Sequence, residues 1–147
     1  MNSIISWVGG KKALRDLIYL RMPTHYDRYI EVFGGGGWVL FGKPPDKCME
    51  VYNDFNSNLA NLFYCVKERP MALLRELSFL PLNSRDEFVT LRKFLTMEEF
   101  KSEHLAEELE IATHFLKEPE AAEICDILKE RAVVGDVKRA AAFYKII

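Results

Sequence analysis

An α/β fold is predicted by this 147-residue sequence: a short parallel sheet in the first half, then a mostly helical second half. Three observations carry that reading. Two runs rich in β-branched and aromatic residues, Tyr29 to Phe33 and Glu50-Val51-Tyr52, have strand character. Four consecutive glycines, Gly34 to Gly37, follow the first run at once. After Pro70 the apolar residues recur at helical spacing, and no further strand signal is seen.

Residues 1 to 30 carry five lysines and arginines against two aspartates. Leu14, Leu17, Ile18 and Met22 suit one helical face ended by Pro23. Ahead of that helix stand Gly9, Gly10 and Lys11. Backbone N–H groups and an ammonium at a helix N-terminus suit a carboxylate. Most lysines and tryptophans are a solvated surface and a core aromatic, respectively, and that is the plain reading of Lys11 and Trp7. The flanking glycines turn it toward ligand contact.

The glycine run is too rich for a hairpin, which needs one or two glycines at set positions. Its purpose is backbone shape: positive φ, or close approach of the main chain to something. A phosphate-binding G-x-x-x-x-G-K-[ST] is excluded, because no Lys-Ser or Lys-Thr follows. The dinucleotide pattern G-x-G-x-x-G fails at Val39 from Gly34 and at Leu40 from Gly35. The second strand ends in Asn53-Asp54, about twenty residues past the first glycine, where nucleotide-binding α/β units place a ribose carboxylate. Asp54 can also cap the next helix, but Asn53, Asn56 and Ser57 are capping types too. Glu31, before the loop, is expected either to orient its N–H groups or to touch the bound ligand. Together these residues suit a nucleoside lacking a pyrophosphate, such as S-adenosylmethionine.

Helical signals fill the rest. Leu59, Leu62, Phe63 and Val66 mark a helix ended by Pro70, and a short one follows over Met71 to Phe79. Ser84-Arg85-Asp86-Glu87 and Thr96-Met97-Glu98-Glu99 are capping boxes. They precede helices marked by Phe88, Leu91 and Leu95, and by Phe100, Leu105, Leu109, Ala112 and Leu116. Pro119 breaks the second of these. Ala121, Ile124 and Leu128 open another helix, and Gly135-Asp136 caps the last, Val137 onward. From Glu98 to Glu130 eleven carboxylates face three lysines, a solvated face by the usual reading. His104 and His114 do not share the i, i+4 face of a helical metal pair, so no metal site is expected.

Half the residues are apolar, with ten Phe and six Tyr, which excludes a disordered chain. A formal charge of −2 gives no electrostatic signal for nucleic acid. Three cysteines, Cys48, Cys65 and Cys125, lack C-x-x-C spacing and read as reduced thiols of a cytoplasmic protein. Neither a signal peptide nor a run long enough to span a membrane is visible, so no membrane partner is expected.

At EVFGGGGWVL the chain resembles the DNA adenine-N6 methyltransferases (Dam-like, D12 class). SWVGGKKAL, Ser6 to Leu14, is similar to the segment that in this family closes over the cofactor. VYNDFNSNLANLF, Val51 to Phe63, is similar to its second strand, ribose carboxylate and following helix. Val32 and Trp38 depart from the family pattern, which usually has proline and a smaller residue there. The resemblance implies an incomplete Rossmann-like S-adenosylmethionine-dependent methyltransferase sheet over residues 1–69. It also implies a helical target-recognition segment over 70–147. Trp7, Gly10, Lys11, Phe33, Gly34, Gly35, Gly37 and Asp54 are the cofactor-binding residues it implies, and methyl transfer to adenine in double-stranded DNA is the activity. A restriction–modification setting goes with it.

The family's D-P-P-Y motif, whose Asp and Tyr hold and stack the flipped adenine, does not occur here. The only Pro-Pro, Pro44-Pro45, directly follows the glycine loop. No catalytic residue is therefore assigned. The chain also ends on an amphipathic helix whose apolar end is expected to lie unburied. The expectation is the N-terminal part of the enzyme, inactive alone and completed by the missing C-terminal part or by a second copy of the chain. The alternative is a non-catalytic methylase remnant that binds cofactor or a protein.

Overall fold

A computed structural model describes residues 3–78, 84–96 and 104–147. They fall into two compact units, residues 1–60 with Ile147, and residues 61–146.

In the first unit, strands β1 (Arg28–Glu31) and β2 (Met49–Tyr52) pair in parallel, with Arg28 opposite Met49 and Glu31 opposite Tyr52. The ladder is prolonged by Met49 N–H to Asp27 O at 3.1 Å and Asn53 N–H to Glu31 O at 2.9 Å. Along β1 the side chains alternate: Tyr29 and Glu31 turn inward, while Arg28 and Ile30 are exposed. Lys43, itself buried, pairs with Glu50 and lies 5.7 Å from the centroid of the Tyr29 ring. Burial, then the Glu31 carboxylate, holds the Tyr29 phenol well above its ordinary pKa.

The first helix is shorter than the sequence suggests. A 3₁₀ turn over Lys11–Leu14 leads into α1 (Arg15–Tyr19), and Leu14 and Leu17 are exposed. Leu20, Arg21 and Met22 close the end with bonds to Asp16, Ile18 and Tyr19 carbonyls. Proline at 23 disfavours helical geometry at Met22, and a five-residue helix has too few bonds to resist that.

Helix α2 (Ser57–Glu68) runs from the first unit into the second. Asn56 caps it, its Oδ1 accepting from Asn58 and Leu59 N–H at 3.1 and 3.3 Å. Pro70 not only ends this run but opens α3 (Pro70–Ser78), at the position where a missing N–H costs nothing. Helix α4 (Arg85–Phe94) is capped by Ser84, which accepts from Glu87 N–H at 3.1 Å as the capping box predicts. The Glu87 carboxylate is engaged instead by Lys145. Thr96 donates to Lys93 O at 2.6 Å, whereas the rest of the second capping box, Phe100 and Phe79 lie outside the described residues.

Helices α5 (Leu105–Phe115) and α6 (Glu120–Val134) pack together, and α3 and α4 both pack on α7 (Val137–Ile146). Asp136 caps α7 by accepting from Arg139 N–H at 2.9 Å. Helix α7 is the core helix, with Ala140, Ala141, Ala142 and Phe143 all buried and Lys138 exposed; the expected unburied end is met in part, because Tyr144 and Ile147 are exposed. Small side chains let neighbouring helices come close, so the apolar face is spent inside the unit. Arg69, 1% exposed, joins the helices. Its Nη2 meets Glu108 Oε2 at 2.6 Å and its Nη1 donates to Gly135 O at 3.3 Å. Asn61 exchanges two bonds with the Asp136 backbone, at 2.8 and 2.9 Å. Burial pushes the neighbouring Cys65 thiol up to about 12, so it stays protonated and inert. No described helix is long and apolar enough to cross a membrane.

Candidate functional site

The glycine loop leaves the carboxyl end of β1 beside Asn53-Asp54 at the end of β2, the edge where open α/β sheets place ligands. Gly34 N–H donates to Asn53 O at 2.8 Å, and Gly37 N–H to Gly34 O at 2.9 Å. Gly35 and Gly37 have φ of +51° and +67°, the left-handed region that glycine enters without steric cost. At Gly34 the requirement is space: a Cβ there would lie 2.2 Å from Tyr52 Cε2.

Asp54 braces the loop. Its Oδ2 accepts from Gly35 N–H at 2.8 Å and its Oδ1 from Asn56 N–H at 2.9 Å. Capping of α2 falls to Asn56, so Asp54 is free of that duty. Trp7 lies against Gly35, where a Cβ would come within 3.0 Å of its Cδ1. Trp38 is packed as closely on Gly10 and Gly36. Lys11 Nζ donates to Phe33 O and pairs with Glu31 Oε1 at 3.3 Å. Glu31, buried, accepts from Leu40 N–H at 3.1 Å, which gives it the loop-orienting position expected of it. Phe33 stands 71% exposed at the loop.

Trp7, Lys11, Phe33, Gly34, Gly35, Gly37 and Asp54 thus come together around one loop. Gly10 joins them only through packing, because its N–H is spent on Trp7 O at 3.0 Å and no regular α-helix starts there to gather an anion. Tyr52 is the residue the sequence reading passed over. Its hydroxyl donates to Gly35 O at 2.8 Å while its ring floors Gly34. Burial, then Asp54 and Glu31, raises its phenol pKa and keeps the donor proton in place. Phe55, next to Asp54 and 95% exposed, was also passed over. Its only signal was adjacency to the carboxylate. The loop therefore presents a carboxylate, an ammonium and bare aromatic surface in one place.

A model of the family described as D12 class N6 adenine-specific DNA methyltransferase matches residues 7–133. A Type II methyltransferase of Lactococcus lactis subsp. cremoris, M1.LlaDCHI, is 38% identical over 93 residues. That alignment takes in 63% of this chain and 32% of the relative, so the chain spans about a third of the relative's length. No solved structure matches.

Proposed function

Since the chain belongs to the D12 class N6 adenine-specific DNA methyltransferase family, we propose that its glycine loop holds S-adenosylmethionine for methyl transfer to adenine N6 in double-stranded DNA. The observation that carries this reading is the bond from Gly35 N–H to Asp54, which fixes a carboxylate at the mouth of a loop whose backbone only glycine tolerates.

The donor set fits that cofactor. Each carboxylate oxygen offers two lone pairs, so Asp54, accepting one N–H on each, keeps capacity for ribose hydroxyls. The Lys11 ammonium has three protons; two are directed at Glu31 and Phe33 O, and the third suits a carboxylate. Trp7 and Phe33 offer apolar surface to a purine or a thioether. When bound, S-adenosylmethionine supplies a methyl group made electrophilic by its sulfonium. The chain's own part is to bind, orient and shield. Adenine N6 is a weak nucleophile because its lone pair is delocalised into the ring. Transfer therefore also needs acceptors on the amino group and an aromatic against the flipped base. The family's D-P-P-Y element would provide them from polypeptide outside these residues, a C-terminal part or a partner chain. Residues 70–147 take the place of the target-recognition segment in this reading, and the cytoplasm is the compartment.

Calorimetry on the 147-residue chain tests the first half of the proposal. Weak S-adenosylmethionine binding should vanish in Asp54→Ala and fall in Asp54→Asn, which keeps an acceptor for Gly35 N–H. Wild-type affinity in both variants would sink the ribose assignment. For the second half, a radiolabelled-methyl assay on adenine-containing duplex should read no transfer by this chain alone. Adding a segment that carries D-P-P-Y in trans should restore it. Robust transfer by the chain alone would overturn the division of labour.

A further inference from the structure

Within the helical unit, a cavity of about 250 Å³ opens between three helices. Met71 of α3, Ile111, Ala112 and Phe115 of α5, and Ile124 and Leu128 of α6 line it. Ile111 and Phe115, and Ile124 and Leu128, are i, i+4 pairs, so each helix turns one continuous stripe to the groove. Phe115 is 76% exposed, and no described element covers it. A second cavity, of about 380 Å³, shares Ile111 and Phe115 and is bordered by Arg75, Glu107, Glu110 and His114.

The helices around the groove carry a surplus of carboxylates, although Arg69, Arg75 and His114 also border the two cavities. From Leu105 to Val134 eight carboxylates face three lysines and arginines. Several are committed: Glu108 to Arg69, Glu107 to Arg75 and His104, and Asp126 to Lys129. Glu110, Glu118, Glu120 and Glu123 form no ion pair among the described residues. Uncompensated carboxylates repel phosphates, so this face is unsuited to the DNA backbone. An apolar groove between helices of net negative charge is instead complementary to an amphipathic helix with lysines or arginines beside its apolar stripe. We propose that the α3–α5–α6 groove docks such a basic amphipathic helix of a protein partner, its apolar stripe seated on Ile111 and Phe115 and its cations against Glu110, Glu120 and Glu123.

The probe is a fluorescein-labelled helical peptide of leucine and lysine with leucines at i, i+3, i+4 and i+7, titrated with the 147-residue chain and read by anisotropy. Saturable binding should weaken about tenfold or more in Phe115→Ser, the loss expected for a buried aromatic anchor. Ile111→Asn should behave likewise, and circular dichroism confirms that each variant stays folded. The triple variant Glu110→Gln, Glu120→Gln, Glu123→Gln should weaken binding and flatten its salt dependence. A leucine–glutamate peptide of the same pattern should not bind. Undiminished binding by Phe115→Ser and Ile111→Asn would overturn the proposal, because attraction would then be charge alone. So would equal affinity for the acidic peptide, or displacement of the basic peptide by duplex DNA. Sedimentation that finds a wild-type dimer abolished by Phe115→Ser would also overturn it, making a second copy of the chain the occupant.

Discussion

Replacing Gly34 with alanine isolates a single steric contact at the glycine loop. The added Cβ would stand 2.2, 2.6 and 2.9 Å from Tyr52 Cε2, Cδ2 and Cζ. Carbon atoms prefer about 3.5–4.0 Å, so the ring must retreat by roughly an ångström or more. It cannot do so freely, because its hydroxyl is bonded to Gly35 O at 2.8 Å. Overpacking typically costs about 1–3 kcal/mol, and the lost hydrogen bond about 0.5–1.5 kcal/mol. The expected destabilisation is therefore about 1.5–4.5 kcal/mol, a large share of the ~5–15 kcal/mol that holds a typical domain. Gly34, unlike Gly35 and Gly37, does not have a left-handed φ, so the cost is contact and not backbone strain. Urea unfolding followed by tryptophan fluorescence is the assay, since the two tryptophans both lie against loop glycines. Tyr52→Ala opens the space, and the double variant should be more stable than the sum of the singles by about 1 kcal/mol or more. Strict additivity, or a Gly34→Ala loss within about 0.5 kcal/mol, would refute the reasoning.

Two further outcomes follow from the helical unit. Glu108→Gln leaves the Arg69 guanidinium buried without its carboxylate and should cost about 3–5 kcal/mol in a helical circular dichroism melt; a loss below about 1 kcal/mol would mean that water reaches the pair. His104 gives its Nε2 to Glu76 at 2.6 Å and its Nδ1 to Glu107 at 2.7 Å, an arrangement that requires the imidazolium. Burial alone lowers its pKa, but the hydrogen bonds to Glu76 and Glu107 outweigh that and raise it. The resulting stabilisation is complete below the unfolded value of about 6.5 and is lost as pH rises through the folded one. The stability advantage of wild type over His104→Gln should shrink as pH rises through that window, and a difference independent of pH would refute the clamp.

The strands and the glycine loop were legible because their signals are local: β-rich runs, then four glycines in a row. Gly35 and Asp54, nineteen residues apart, could be related on paper from the spacing at which nucleotide-binding α/β units place a carboxylate after the glycine loop. What Asp54 does for the loop was not legible, because a carboxylate that accepts backbone N–H groups reads the same in sequence as one awaiting a ligand. Tyr52 was hidden for a related reason. An aromatic at the end of a strand is ordinary, and only three dimensions place its ring beneath Gly34. The helical half was read well where caps punctuate it, at Ser84, Pro119 and Asp136. Helix α7 misled in the other direction, since its alanines look like weak apolar signal and prove to be the tightly packed centre of the unit. The buried Arg69 carried no signal at all: one arginine before a proline gives no hint of a partner 39 residues away.

That last separation governs how this polypeptide can be made. Arg69 waits for Glu108, 39 positions later, and for Gly135, 66 positions later; Asn61 waits 75 positions for Asp136. Helical proteins usually fold through neighbours in sequence, yet here the central polar junction is tied to distant ones. At roughly 5–20 residues per second of synthesis, the interval between Asn61 and Asp136 lasts on the order of 4–15 s. Until Glu108 is made the Arg69 guanidinium has only water, and the Asn61 amide of α2 has it for the whole interval. The polar junction is therefore complete only when Gly135 and Asp136, at the start of α7, have been made.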